Sequence, residues 1–140
     1  MLLPDSVTDE KAVTQYFTDY YRDFSSLDIQ AIVTYFHEPC LIIGPQGAVA
    51  TPDRSVLPSV FTPVLESLRS RGYGRSELNI QQLKPLSPAT ILVMGIALRF
   101  KVDGQALERA GVTYLLQKAD QHWKIAVLVT HDANDDARNE

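Results

Sequence analysis

The stretch SSLDIQAIVTYFHEPCLIIGPQG, residues 25–47, contains the change of periodicity on which the fold prediction depends. Its first half has apolar residues at helical spacing: Ile29, Ile32, Val33 and Phe36. Ser26 or Asp28 is suited to cap this short helix, and we expect Pro39 to end it. CLIIG (40–44) then predicts a buried strand and GPQG a turn.

Helical periodicity also precedes this stretch, in apolar residues that share one face: Val13, Tyr16, Phe17, Tyr20, Tyr21 and Phe24. We expect that first helix to end at Ser25-Ser26. Downstream, AVA (48–50) predicts a returning strand. Thr51-Pro52 opens a third helix, which we expect to kink or start late because Pro58 and Pro63 lie inside its pattern.

Beyond Tyr73 the hydrophobic period approaches two, which predicts four strands joined by hairpin-type turns: 75–84, 89–102, 107–118 and 122–131. Helices followed by an antiparallel meander indicate an α+β fold with helices on one face of a curved sheet.

Length and composition restrict the class of protein. The 140 residues predict a single domain, with a core at about 7–131 and a polar tail at 132–140. The net charge of −4 and the scattered lysines and arginines argue against a nucleic-acid or membrane partner. The longest apolar run, 91–98, is too short to span a bilayer. A single cysteine fits a reducing compartment, so we expect a cytoplasmic protein.

The order of elements resembles the nuclear transport factor 2-like superfamily over residues 7–131. SSLDIQAIVTYF is similar to the short second helix of these proteins, and QHWKIAVLVTH to their last strand. The resemblance implies a cone-shaped α+β barrel, in which three N-terminal helices pack on a strongly curved antiparallel or mixed sheet around a pocket. It also implies a homodimer formed through the outer face of the sheet.

Within this superfamily, residues 20–47 look most similar to ketosteroid isomerase. The resemblance places Tyr20 where that enzyme has its hydrogen-bond-donating tyrosine. The catalytic base is replaced by Gly44 and the second acid by Thr113. Glycine cannot take a proton, so isomerisation by that mechanism is not expected.

Strand alternation and the resemblance together predict an apolar pocket. Cys40, Ile42 and Gly44 would share its wall with alternate residues of two meander strands. Those residues are Met94, Ile96, Leu98 and Phe100, and Arg109, Gly111, Thr113 and Leu115. Arg99 and Lys101 would then lie on the outer face. The predicted ligand-pocket residues are Tyr16, Tyr20, Cys40, Ile42, Phe100, Arg109, Thr113 and Trp123.

These patterns leave three functions open. The first is a domain that binds a small hydrophobic or weakly anionic molecule, with Tyr20, Arg109 and Thr113 orienting its polar end. The second is a SnoaL-like isomerase, cyclase or dehydratase, with His131 as acid-base and Tyr20 as donor. The third is a non-catalytic dimerisation module.

The reactive side chains have plain structural interpretations as well. His131 is either a cavity acid-base or an exposed strand-end residue, and Cys40 is either a nucleophile or a buried inert thiol. The three histidines have no metal-binding spacing, so no metal site is expected. The sequence predicts no cofactor.

Overall fold

The computed structural model describes the backbone of residues 3–133 and the side chains of residues 9–133. It has three helices: α1 (Leu3–Ser25), α2 (Ile29–Val33) and α3 (Leu57–Ser70). Its six strands are β1 (Phe36–Gly44), β2 (Gly47–Thr51), β3 (Tyr73–Ser87), β4 (Thr90–Lys101), β5 (Ala106–Ala119) and β6 (His122–His131). The predicted polar tail lies outside the described residues from residue 134 onward.

The short helix α2 is capped as its sequence predicts. Oδ1 of Asp28 accepts hydrogen bonds from the backbone N–H groups of Gln30, at 3.0 Å, and Ala31, at 3.4 Å. The prediction that Pro39 ends this helix is wrong, because α2 stops at Val33 and Pro39 lies inside β1. Proline is tolerated there because it is exposed and falls where the pairing of β1 with β6 is interrupted.

The third helix starts late, as the prolines predict. Asp53 caps a short 3-10 turn, with its side chain accepting from Ser55 N, and α3 begins only at Leu57. Pro58 occupies the first helical turn, where its missing N–H costs no helical hydrogen bond.

The strands form one six-stranded mixed sheet with the order β2-β1-β6-β5-β4-β3. The pairing of β1 with β6 is parallel, and every other pairing is antiparallel. The sheet stays open, with β2 and β3 at its edges. Asp120 and Gln121 adopt positive φ angles of 52° and 70° in the tight β5–β6 turn. The predicted α+β fold with helices on a mixed sheet is confirmed.

One irregularity in β6 changes which side chains face inward. Leu116 pairs with Ile125, whereas Leu115 pairs with Val127, so Ala126 is an extra residue in the ladder. Such a bulge interrupts strict alternation. Ile125 is buried on the helix side, and the next inward residue is Leu128 rather than Val127.

The helices and the inner face of the sheet enclose one apolar core. Its largest fully buried side chains are Phe36, Ile32, Leu57, Leu68, Ile91, Leu116, Ile125, Val13 and Val93. Aromatic rings of α1 join this core, and Phe17 packs against Tyr114 with ring centroids 4.6 Å apart. Within the described part of the chain, no helix is long and apolar enough to cross a membrane.

Candidate functional site

A cavity of about 340 Å³ lies between the helices and the sheet, and it opens to solvent beside the β1–β2 turn. Its walls come from α1, α3, the β1–β2 turn and all six strands, through the residues Tyr20, Tyr21, Phe24, Ile42, Gly44, Pro45, Gln46, Gly47, Val49, Val60, Phe61, Val64, Ser76, Arg99, Val112, Tyr114, Leu128 and Thr130. Val49 and Val64 are large apolar side chains that are nevertheless 42% and 41% exposed. The cavity is therefore apolar at its wall and at its entrance.

Four buried hydroxyl groups line this cavity, and three are paired within the protein. The hydroxyls of Tyr21 and Tyr114 lie 2.8 Å apart, and Ser76 Oγ lies 2.6 Å from the Tyr73 hydroxyl. The fourth belongs to Tyr20, which is only 3% exposed. Among the described residues, the Tyr20 hydroxyl has no hydrogen-bond partner. It is therefore available to a molecule in the cavity.

Burial raises the pKa of the Tyr20 phenol well above its usual range, and the nearby charge of Arg99 opposes only part of that rise. Burial likewise raises the pKa of Tyr21 to about 12 and that of Tyr114 well above its usual range. All three phenols are therefore protonated at neutral pH, and Tyr20 can act as a hydrogen-bond donor.

Arg99, on β4, is the charged side chain of the cavity wall. Its side chain is 17% exposed, and its Cζ lies 5.5 Å from the centre of the Phe24 ring. Nη1 of Arg99 donates to Oε2 of Glu108 at 2.6 Å. Within the described region, its Nε is buried and has no hydrogen-bond partner. An arginine is rarely buried this deeply with a donor unused.

Glu108 is shared between two arginines. Its second oxygen, Oε1, accepts from Nη1 of Arg71 at 2.8 Å. Burial alone would raise the pKa of Glu108, but the hydrogen bond from Arg71 and the charge of Arg99 hold that pKa below its usual range. Two cations therefore face one carboxylate, and the cluster keeps one net positive charge next to the cavity.

The predicted inward faces of β4 and β5 are wrong by one residue. The cavity is lined by Arg99 on β4 and by Val112 and Tyr114 on β5. Arg109 is exposed, and Thr113 lies on the outer face. The reason is that both faces of these strands carry apolar residues, so alternation could not identify the inner face.

Phe100 is also on the outer face, where its ring centre lies 4.2 Å from Cζ of Arg75. Tyr20 and Ile42, in contrast, line the cavity together with Gly44. Of the predicted pocket residues, the structure thus brings together only Tyr20 and Ile42. Their roles toward a ligand stay predictions.

His131 ends β6 on the outer face, which agrees with the second of its two interpretations, an exposed strand-end residue, and not with a cavity acid-base. The bulge at Ala126 reverses the alternation that suggested it, and Thr130 lines the cavity instead. His131 is exposed, and its Nε2 lies 3.3 Å from the Thr113 hydroxyl. The pair of His131 and Tyr20 is therefore not assembled at this cavity.

The three remaining predicted pocket residues lie outside the cavity. Tyr16 donates its hydroxyl to the Tyr35 carbonyl. Trp123 is buried in the core, with Nζ of Lys118 5.1 Å from its ring centre, and it borders a separate polar groove with Tyr16.

Cys40 packs in the core with Sγ 2.8 Å from the Thr51 hydroxyl. Burial raises the pKa of its thiol. This environment is that of a structural cysteine rather than a nucleophile.

Among the described residues, no group of three or more histidine, cysteine, aspartate or glutamate side chains could hold a metal ion. Within the part of the chain that the structure describes, the lining of the cavity contains no carboxylate, histidine, cysteine or lysine. Its available polar groups are therefore hydrogen-bond donors and neutral side chains.

Sequence reasoning missed Arg99 and its partner Glu108. The two are directly opposite each other in the antiparallel pairing of β4 and β5. An arginine and a glutamate on adjacent predicted strands could have suggested a cross-strand pair. The strand register was needed to use that signal.

Solved structures with this fold include proteins from several bacteria. An NTF2-like protein of unknown function from Shewanella oneidensis MR-1 has a TM-score of 0.70 and 19% identity, covering 89% of this chain and 99% of that one. A cystatin-like protein of unknown function from Nostoc punctiforme PCC 73102 has a TM-score of 0.76 and 12% identity, covering 91% and 93%. A ketosteroid isomerase-like protein from Erwinia carotovora atroseptica SCRI1043 has a TM-score of 0.66 and 18% identity, covering 89% and 95%.

At these identities the likeness shows the fold alone. No curated protein is similar enough to the sequence to count as a match. The family model described as NTF2-like protein (DUF6841) matches residues 9–133, which is most of the chain. The chain therefore belongs to this NTF2-like family.

Proposed function

We propose that this protein is a binding domain for a small, mainly apolar molecule held in the cavity between the helices and the sheet. The observation that supports this function is the cavity itself, which is unfilled by side chains and lined mostly by aliphatic and aromatic groups. A volume of about 340 Å³ falls at the small end of the range for ligand pockets, which suits a molecule with two or three rings.

Binding is favoured over the SnoaL-like enzyme alternative by the chemistry of the wall. Acid-base catalysis requires a group that can take a proton within hydrogen-bonding reach of the substrate. Among residues 9–133, those lining the cavity include no such base, and His131 lies on the other face of the sheet. Gly44, where the isomerase resemblance places the base, is part of the wall without a side chain.

Fluorescence titration with N-phenyl-1-naphthylamine, a neutral apolar dye that brightens in an apolar site, tests this function. Gly44→Phe would fill the entrance, since a Cβ at this position points to Thr130 Oγ1 at 3.3 Å. The matched control is Ala48→Phe, which adds the same ring to the same hairpin outside the cavity lining.

We expect the wild-type protein and Ala48→Phe to bind the dye, and Gly44→Phe to bind at least tenfold more weakly. Circular dichroism would confirm that both variants are folded. No binding by the wild-type protein, or equal binding by Gly44→Phe, would contradict the proposed function.

We also propose that two copies associate through the outer face of the sheet. Two rows of half-buried side chains cross four paired strands there: Leu41, Val127, Leu115 and Leu92 form one row, and Ile43, Val129, Thr113 and Met94 form the other. A contiguous apolar surface of this kind marks an interaction site. It supports the dimer predicted from the resemblance.

Light scattering coupled to gel filtration tests the dimer. Leu115→Glu places a charge inside one apolar row and should give a monomer, whereas Val102→Glu in the exposed β4–β5 turn should not change the mass. A wild-type protein that stays monomeric at high micromolar concentration would contradict the proposal. The dimerisation-module alternative would show the same dimer without binding the dye.

A further inference from the structure

The cavity combines an apolar wall with two hydrogen-bond donors that the described protein leaves unused. These belong to the Tyr20 hydroxyl and to the guanidinium of Arg99, which lines the cavity and has an enclosed Nε without a partner. A buried donor without a partner costs stability, and among the described residues Nε of Arg99 is such a donor. The Tyr20 hydroxyl is not one of these enclosed atoms and is accessible from the cavity. The guanidinium of Arg99 can only donate, and the protonated Tyr20 phenol can donate to an anion.

The charged groups around the cavity indicate which charge a ligand would carry. Glu108 is already bonded to Arg71, so it does not neutralise Arg99 fully. The described lining of the cavity supplies no second anion, since none of its residues is a carboxylate. The excess positive charge beside the cavity favours a ligand with a negative charge.

The number of hydrogen-bond donors at the cavity favours a carboxylate over a phosphate as the anionic group of the ligand. A carboxylate has two acceptor oxygens, which can take one hydrogen bond from a guanidinium N–H and one from a phenol. A phosphate dianion would bring a second charge and more oxygens into a wall that is otherwise mostly apolar, where they would stay unpaired. The aromatic rings of Phe24 and Phe61 suit a flat apolar body behind the carboxylate.

We propose that the ligand of this cavity is a small apolar monocarboxylic acid whose carboxylate is bound by Arg99 and Tyr20. This inference rests on the proposed binding function and names its ligand class. It assigns to Arg99 the anion-binding role that the sequence predicted for Arg109.

Paired probes that differ only in the polar group test this inference. We would measure displacement of bound N-phenyl-1-naphthylamine by 2-naphthoate and by 2-naphthamide, which has the same ring system without the charge. We expect 2-naphthoate to bind at least tenfold more tightly, because a hydrogen bond to a charged group is worth about a factor of ten or more.

Two variants and two matched controls test which residues bind the carboxylate of 2-naphthoate. Arg99→Met should weaken 2-naphthoate binding about 10- to 100-fold and leave 2-naphthamide nearly unchanged. Tyr20→Phe should weaken 2-naphthoate binding about 3- to 10-fold. The matched controls are Arg75→Met, which removes an equal charge on the outer face, and Tyr35→Phe, which removes a hydroxyl that is bonded to Asp23 outside the cavity lining. Both controls should bind 2-naphthoate as the wild-type protein does.

The outcomes separate this inference from the proposed function. Dye binding with equal displacement by the two probes, or with no displacement by 2-naphthoate, would overturn the carboxylate inference and leave the binding function in place. No dye binding at all would overturn both. If Arg99→Met does not fold, Tyr20→Phe decides: unchanged preference for 2-naphthoate in that variant would overturn the assignment.

Discussion

The hydrogen bond between Tyr21 and Tyr114 allows a quantitative test of the cavity wall. Their hydroxyls lie 2.8 Å apart, and the two residues are 8% and 2% exposed. Replacing either tyrosine with phenylalanine leaves the other hydroxyl without its partner. An unpaired buried polar group costs about 1–3 kcal/mol of unfolding free energy. Because both residues line a cavity that water can enter, we expect each single variant to lose about 1–2 kcal/mol.

The double variant should behave differently from the sum of the singles. With both hydroxyls removed, no buried group is left unpaired, and such paired replacements are often nearly neutral. We expect Tyr21→Phe/Tyr114→Phe to lose no more than either single variant, which corresponds to a coupling free energy of about 1 kcal/mol or more.

Urea unfolding followed by circular dichroism would measure these free energies, and thermal unfolding should agree at about 3 °C per kcal/mol. The matched control combines Tyr21→Phe with Val102→Ala in the exposed β4–β5 turn, where the losses should add within about 0.5 kcal/mol. Losses that add in the tyrosine pair as well would refute the interpretation of a closed, mutually satisfied pair.

Three further predictions concern packing, pH and reactivity. Gly95→Ala should lower the free energy of unfolding in urea by about 1–3 kcal/mol, because its Cβ would collide with the backbone oxygen of Asn79. The control Gly44→Ala, whose Cβ would have its nearest contact at 3.3 Å, should lower it less. Equal losses in the two variants would contradict this reasoning. The pKa of Glu108 is lower in the folded protein than in the unfolded chain, where it is about 4.3. The ionised carboxylate therefore stabilises the fold at pH values above about 4.3, and this stabilisation is lost as the pH falls through the folded pKa. The deficit in melting temperature of Glu108→Gln should therefore be largest at neutral pH and shrink towards about pH 3, and a deficit independent of pH would argue against the two ion pairs. Cys40 should react with a thiol-specific disulfide reagent far more slowly in the native protein than in urea, because it is 5% exposed and burial raises its pKa; similar rates would contradict its assigned environment.

The elements of this fold could be predicted because their periodicities are clear. The apolar stripe of α1, the Asp28 cap of α2 and the late start of α3 all follow from local sequence. The end of α2 was misplaced because Pro39 was interpreted as a helix breaker, whereas it lies in a strand. A proline signals that a helix cannot continue, but it does not show where the preceding helix has already ended.

The candidate site was harder to predict than the fold, for two physical reasons. In β4 the residues on both faces are apolar. Arg99 was therefore predicted to lie on the outer face, because its neighbours Leu98 and Phe100 were predicted to face inward. Which face of β4 points inward is decided by packing against the helices, and the local sequence pattern does not encode that packing. In β6 the bulge at Ala126 separates the inward Ile125 from the inward Leu128 by an odd interval.

The extra residue in β6 also affects how site residues are transferred between relatives. Before the bulge, alternate residues from Trp123 to Ile125 face inward. After the bulge, the inward residues are Leu128 and Thr130, so a strict alternation from Trp123 would assign the wrong residues to the inner face. Deleting Ala126 would remove the irregularity and leave Leu128 and Thr130 facing the cavity, while straightening the strand behind them. A relative of different strand length can therefore have the same cavity wall at shifted positions. Residue-by-residue alignment past this point has to begin by locating the insertion.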